Sequence, residues 1–117
     1  DFENNCLKLE KFEKLTHLEI GGIGNNLELT VSASTKFIRF KNIKFAAMPL
    51  FENFQFEEIE LIKCKNVDWL AEFLAKDETS VKKLTIKNLE MSSEVLQVML
   101  KHEFKATKFV IENVKFL

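Results

Sequence analysis

The chain has 117 residues, enough for a single domain, because a domain of this size can bury about two-thirds of the surface that its unfolded chain exposes. Its 17 basic and 18 acidic residues leave a formal charge of −1. This balance excludes an overall basic surface of the kind that attracts nucleic acid or anionic lipid.

The two cysteines show no pattern of a metal or redox site. Cys6 and Cys64 are far apart and match no paired spacing of the C-x-x-C kind. We expect both to be reduced, and Cys64 to be buried as a small apolar side chain. The sequence contains no N-x-S/T acceptor, no apolar run of about 18 residues and no secretory signal. We therefore predict an intracellular protein, cytoplasmic or nuclear, without metal, cofactor or membrane segment.

One spacing of apolar residues recurs five times. In its clearest copy, residues 56–64, the residues Phe56, Ile59, Leu61 and Cys64 are separated by steps of three, two and three. The other copies are residues 15–23, 35–43, 81–89 and 106–114. Aligned on the second apolar position, the copies carry Leu18, Ile38, Ile59, Leu84 and Phe109, which are 20, 21, 25 and 25 residues apart. Such a period predicts repeated units of strand and bend that stack into one domain over residues 1–117.

The segment before the first copy carries Leu7, Leu9 and Phe12. These residues either begin an additional degenerate repeat or belong to a cap over the first strand. We favour a cap formed by residues 1–14.

The two shorter linkers are predicted to differ in structure. After the first copy, the alternation of Leu27, Leu29 and Val31 predicts a strand that returns on the opposite side of the unit. In the second linker, Pro49 suits the first position of one or two helical turns. Phe51 and Phe54 would then face inward.

The two longer linkers are predicted to be helices. Asn66 or Asp68 can cap a helix that reaches Lys76, and Ser92 can cap a second helix with Glu94 in its first turn. The inward-facing residues of the first helix are Val67, Leu70, Ala71 and Leu74, flanked by Trp69 and Phe73. Those of the second are Val95, Leu96, Met99 and Leu100, and Phe104 could continue the set.

The repeat length, the apolar spacing and the cysteine in the bend of residues 56–64 resemble the leucine-rich-repeat superfamily. The resemblance covers residues 15–117 and is strongest to the irregular repeats of the ribonuclease-inhibitor, F-box and NOD-like receptor groups. It implies an α/β solenoid with about five parallel strands on a concave side and short helices or irregular segments on the convex side. Since Ile23, Ile43, Leu89 and Val114 occupy the bend of the other copies, we expect the side-chain hydrogen-bond ladder of regular members to be missing.

The resemblance also implies that the concave face binds a partner protein. The candidate partner-binding residues are Phe37, Arg39, Lys41, Glu58, Glu60, Lys83, Thr85, Lys87 and Lys108. Their charge changes from basic to acidic and back to basic, which fits a complementary protein surface. A nucleic-acid surface that uses the basic residues, with Phe37 for stacking, is the alternative. Glu58 and Glu60 interrupt it, so we favour the protein partner.

An enzyme is the competing class of function. Glu58 and Glu60 are predicted to point to the same side of a strand, about 7 Å apart, and carboxylate pairs serve in acid–base catalysis. No nucleophile accompanies them. His17 is assigned to the sheet and His102 to an outer helix, so the two do not share a site. We therefore predict a non-catalytic scaffold that acts as an adaptor or recognition segment.

The copy at residues 106–114 is not followed by a polar cap. An uncapped end repeat would expose its core and its sheet edge. We expect either that further repeats follow in a longer chain or that two copies of the protein make end-to-end contact, and we favour the first.

Overall fold

The computed structural model describes residues 4–101 and 106–117. The elements in chain order are β1 (Asn4–Lys8), β2 (His17–Val31), β3 (Phe37–Phe45), β4 (Leu50–Phe51), β5 (Gln55–Ile62), α1 (Trp69–Ala75), β6 (Ser80–Met91), α2 (Ser93–Lys101) and β7 (Lys108–Phe116). Over this described part the fold is α/β, with one open sheet of 7 strands in the order β1-β2-β3-β5-β6-β7, and β4 paired to β2. All of these strand pairings are parallel.

The five copies of the apolar spacing pair in the register that the sequence predicts. Leu18 lies opposite Ile38, Ile38 opposite Ile59, Ile59 opposite Leu84, and Leu84 opposite Phe109. Parallel neighbours need a connection that carries the chain back to the start of the next strand. The linkers supply this connection, and the prediction of five parallel strands is confirmed.

The core lies between the sheet and the linkers. On the strands, alternate side chains such as Phe40, Leu61 and Ile86 are fully buried, because successive residues of a strand point to opposite faces. They form one apolar cluster with residues of the linkers, including Leu70 of α1 and Val95 of α2. This cluster fixes which side of the sheet remains accessible.

The first linker forms a strand, as predicted, and this strand continues the first copy as the second half of β2. Leu27, Leu29 and Val31 are buried there, and the register of β2 shifts between Ile23 and Asn26. β1 pairs in parallel with residues 26–30 of this second half. Residues 17–21 of β2 therefore have no strand on their outer side in the described part of the chain.

The prediction of helical turns at Pro49 is wrong, because this linker forms β4 instead. Leu50 and Phe51 pair with Thr30 and Val31 of β2. An extended chain covers about 3.3 Å per residue and a helix only about 1.5 Å, so a linker this short crosses the core more readily in the extended form. The inward packing of Phe51 and Phe54 is confirmed, since both pack against the core.

Both predicted helices are present. Asp68 is the N-cap of α1, but its carboxylate accepts a hydrogen bond from the backbone N–H of Ser92 at 2.8 Å and makes none with its own helix. Ser92 caps α2 by accepting from the N–H of Glu94 at 3.1 Å. The inward assignment of Leu100 is wrong, since its side chain is 63% exposed, and Phe104 lies outside the described residues. In the described ranges, neither helix has the length and apolar character needed to cross a membrane.

Candidate functional site

The predicted partner-binding residues all lie in three rows on the side of the sheet opposite the core. The first row is His17, Phe37, Glu58, Lys83 and Lys108; the second is Glu19, Arg39, Glu60, Thr85 and Val110; the third is Gly21, Lys41, Ile62, Lys87 and Glu112. We call these positions the charged face. The rows arise because β2, β3, β5, β6 and β7 pair in parallel without a register shift over this part.

Arg39 is held between two carboxylates from the neighbouring strands. Its Nη1 lies 3.3 Å from Glu19 Oε2, and its Nε lies 3.4 Å from Glu60 Oε1. The guanidinium bridges β2, β3 and β5 across the middle row. Two opposed carboxylates restrict its rotamers, so contacts within the chain itself position Arg39.

The other charges of the charged face also pair across strands. Lys83 Nζ lies 3.8 Å from Glu58 Oε2, and Lys87 Nζ lies 3.4 Å from Glu112 Oε2. Most of the basic side chains on the charged face are therefore paired with acidic side chains of neighbouring strands. In the described part of the chain Lys41 and Lys108 make no ion pair, and these two ammonium groups remain available to a ligand.

An aromatic pair occupies the start of the first row. The rings of His17 and Phe37 stack with centroids 4.3 Å apart and planes 6° from parallel. The Oγ1 of Thr16 lies 2.9 Å from Nδ1 of His17, so the imidazole is hydrogen-bonded to the neighbouring hydroxyl. The pair borders a shallow depression of about 400 Å³ that is also lined by Arg39, Glu58 and Glu60. This depression is large enough for one partner side chain.

Thr85 is a correction to the predicted site. It lies in the middle row, but its side chain is only 3% exposed. The register places Glu60 and Val110 beside it, with Lys83 and Lys87 two residues away along β6. Neighbours at these distances reach one another on a sheet face, so four larger side chains shield the small threonine from a partner.

The two carboxylates that the sequence analysis considered as a catalytic pair, those of Glu58 and Glu60, lie beside basic side chains of neighbouring strands. The carboxylates of Glu58 and Glu60 are each engaged by a cation, Lys83 and Arg39 respectively. Over residues 4–101 and 106–117, no three His, Cys, Asp or Glu side chains are grouped so that they could hold a metal ion. His102, assigned from the sequence to an outer helix, lies outside the described residues.

Cys64 is a packing residue, as predicted. It is buried, and its Sγ–H can donate to the carbonyl oxygens of Ile62 at 3.3 Å and Phe40 at 3.5 Å. Burial raises the pKa of the Cys64 thiol, which keeps it protonated and unreactive. Cys6 is a free and exposed cysteine.

The bends contain a pattern that the sequence analysis missed. Gly22, Asn42, Lys63, Asn88 and Asn113 occupy the same position of successive units, and all have φ between 52° and 74°. Asparagine and glycine tolerate this left-handed conformation. The recurrence of asparagine directly before Ile43, Leu89 and Val114 was the available signal.

One side-chain hydrogen bond joins two of these bends. Nδ2 of Asn113 donates to Oδ1 of Asn88 at 2.9 Å. Regular leucine-rich repeats form a side-chain hydrogen-bond ladder at the bend position that Leu89 and Val114 occupy here, and we expected no ladder at that position. The observed bond lies one residue earlier in each unit. Side-chain bonding between units is therefore present here at a different position.

The chain matches no protein-family model, no curated protein and no solved structure.

Proposed function

We propose that this chain is a divergent leucine-rich-repeat-like solenoid that binds a partner protein through the charged face, without catalysis. The face would be the concave side, and the linkers with α1 and α2 the convex side. Support comes from parallel neighbours that recur every 20 to 25 residues along the chain, a period found in that superfamily.

The observation that carries the binding proposal is the corner formed by His17, Phe37 and Arg39. A stacked aromatic pair stands next to an arginine that two glutamates hold in place. Aromatic and arginine side chains dominate the binding energy of protein interfaces. Groups that are already positioned lose less conformational entropy when they bind.

The corner also indicates the chemistry of the partner segment. An apolar or aromatic side chain of the partner would enter the depression and contact Phe37. Lys41 lies four residues further along β3, about 13 Å away in an extended strand. A partner segment that follows β3 would therefore place an acidic group near Lys41, with the apolar anchor near Phe37.

Nucleic-acid binding is the second candidate, and the ion pairs weigh against it. Arg39, Lys83 and Lys87 are each neutralised by a glutamate. A nucleic acid would have to displace these carboxylates or bind through the separated Lys41 and Lys108. Such binding would weaken steeply as salt is raised. A titration of a labelled single strand at two ionic strengths tests this candidate directly.

Site-specific photo-cross-linking tests the protein-binding proposal. A photoreactive residue would replace Lys41 on the charged face, and in a matched control it would replace the exposed Glu72 on α1. We expect a discrete protein adduct from position 41 in cell extract and none of the same mass from position 72. Adding Phe37→Ala and Arg39→Ala should abolish the adduct while the far-ultraviolet circular dichroism is unchanged.

A paired charge exchange provides a second control. Glu58→Lys combined with Lys83→Glu keeps opposite charges on the same two strands, but it inverts the charges that a partner meets. We expect the doubly substituted chain to fold normally and to lose most of the adduct. Equal adducts from positions 41 and 72, or an adduct that survives the loss of Phe37 and Arg39, would contradict the proposal.

A further inference from the structure

The strand β7 has a free edge and an incompletely covered apolar side. It pairs with β6 on one side, and no strand of the described part of the chain lies on its other side. Ile111 is 40% exposed, whereas Ile86, the residue opposite Ile111 on β6, is fully buried. A free edge of this kind is a template for pairing with another strand.

The side chains of β7 select the partner strand. Residues 108–112 read Lys, Phe, Val, Ile, Glu, so a cation and a carboxylate stand at equal distances on either side of Val110. If a second copy of β7 pairs antiparallel with Val110 opposite Val110, then Lys108 faces Glu112 of the second copy, and Phe109 faces its Ile111. Residues opposite each other in an antiparallel pair lie on the same face. Both charged pairs therefore form on the charged face, and both apolar pairs form on the core side.

We propose that two copies of this chain associate through an antiparallel pairing of their β7 strands, with the two-fold axis at Val110. Lys108 makes no ion pair in the described ranges, so its ammonium group is free for the contact. Glu112 contacts Lys87 through Oε2 at 3.4 Å, and its other oxygen can accept from a second cation. The contact joins the two apolar cores and leaves the corner of His17, Phe37 and Arg39 uncovered.

A head-to-tail contact is the main competing arrangement. It would place β7 beside residues 17–21 of a second copy, the other uncovered stretch of sheet edge. Continuing the parallel register would set Lys108 against His17 and Glu112 against Gly21, so neither charge would gain an opposite partner. A head-to-tail contact that does not close into a ring also grows into an open filament. Charge complementarity and closure therefore favour the two-fold pairing.

Sedimentation velocity of the 117-residue chain over a range of concentrations tests the proposal. We expect a reversible dimer of twice the 13.6 kDa chain mass. Lys108→Glu places two carboxylates opposite each other at both ends of the contact, and Glu112→Lys places two ammonium groups there. Each substitution should weaken the dimer about tenfold or more, since opposite charges directly across a strand pair attract and like charges repel.

Mixing the two variants is the decisive step. In the mixed dimer each new carboxylate faces a new ammonium group, and the original Glu112 of one chain faces the original Lys108 of the other. We therefore expect a mixture of Lys108→Glu and Glu112→Lys to regain the association that each variant loses alone. Lys41→Glu, which removes an exposed and unpaired cation away from the edge, serves as the matched control and should leave the dimer unchanged.

Four outcomes would overturn the proposal: a wild-type monomer at every concentration, a dimer that resists both substitutions, a mixture that associates no better than the single variants, or growth into filaments. Thermal unfolding of each variant separates loss of pairing from loss of fold. Lys108→Glu is the cleaner variant, because Glu112→Lys also removes the ion pair with Lys87. The outcome is independent of the proposed partner site, since Phe37→Ala and Arg39→Ala should leave the dimer intact.

Discussion

Strands β6 and β7 carry the same apolar spacing and differ in burial. Leu84 and Ile86 of β6 are fully buried, whereas Phe109 of β7 is half-buried and Ile111 is 40% exposed. β6 has β5 on one side and β7 on the other, but β7 has a described neighbour only in β6. The comparison shows that the burial of a repeat residue depends on the units on both sides of it. Its own strand determines only which face of the sheet its side chain points to.

The largest expected effect tests this comparison directly. Ile86→Ala should lower the free energy of unfolding by about 4 kcal/mol, because it opens a cavity among fully buried side chains. Ile111→Ala, at the same position of the next unit, should cost about 1 kcal/mol, because that side chain already contacts solvent. Urea unfolding of the two variants measures the difference at a concentration where the chain is monomeric. Similar losses would show that β7 is covered in solution.

The bends after β6 and β7 provide the next comparison. Asn88→Ala should destabilise the fold by about 1.5 kcal/mol, because alanine disfavours the left-handed conformation and the hydrogen bond from Asn113 is lost. Asn88→Gly keeps the conformation accessible and should cost only about 0.5 kcal/mol. A double-mutant cycle with Asn113→Ala isolates the bond between the two amides. Additive losses would mean that the two asparagines act only through their own backbones.

The bend after β5 is the exception among the bends, and it can be improved. Lys63 adopts a φ of 54°, a conformation that asparagine tolerates better than lysine. An asparagine would also stand next to Asn88 in the stack of bends, where it could extend the hydrogen bonding between units. We expect Lys63→Asn to raise the free energy of unfolding by about 0.5–1 kcal/mol. A shift of the urea midpoint to lower concentration would contradict this reading of the bend.

The smallest expected effect concerns the ion pair that links β6 and β7. The side chains of Lys87 and Glu112 are 34% and 58% exposed, so water screens most of their attraction. A double-mutant cycle with Lys87→Ala and Glu112→Ala should give a coupling of about 0.5 kcal/mol or less. The coupling should fall further in high salt. A coupling that stays constant with salt would mean that the pair is less solvated than its exposure indicates.

Part of the candidate site was predictable, because the apolar spacing indicates both which residues of a strand face the core and how neighbouring strands are aligned. Once Leu18, Ile38, Ile59, Leu84 and Phe109 are aligned, the rows of the charged face follow. The pairing of Arg39 with both Glu19 and Glu60 was not predicted, because the row places the three side chains side by side but does not fix where each side chain reaches. The burial of Thr85 was missed for the same reason, since it depends on larger side chains from β5 and β7.

The linkers show where reasoning from the sequence failed. Helical periodicity and capping residues identified α1 and α2, because those linkers are long enough for local preferences to decide. The linker containing Pro49 carries a helix-start residue, yet it became β4, because the span to be crossed and the open edge of β2 favour an extended chain. Leu100 fits the inward stripe of α2 by spacing but lies exposed, since no further unit of the described chain covers it.

The sequence by itself determined the repeated strands, their parallel register and the side of each strand that faces the core. These properties follow from local spacing. Side chains of a strand alternate between its two faces with a period of two residues, so a half-buried sheet requires apolar residues at alternate positions. Only the tertiary structure decided how the charges of the charged face pair, how deeply each equivalent residue is buried, and which strand is left with a free edge. These properties depend on neighbours 20 to 25 residues away in the chain, and no local pattern records what those neighbours will be.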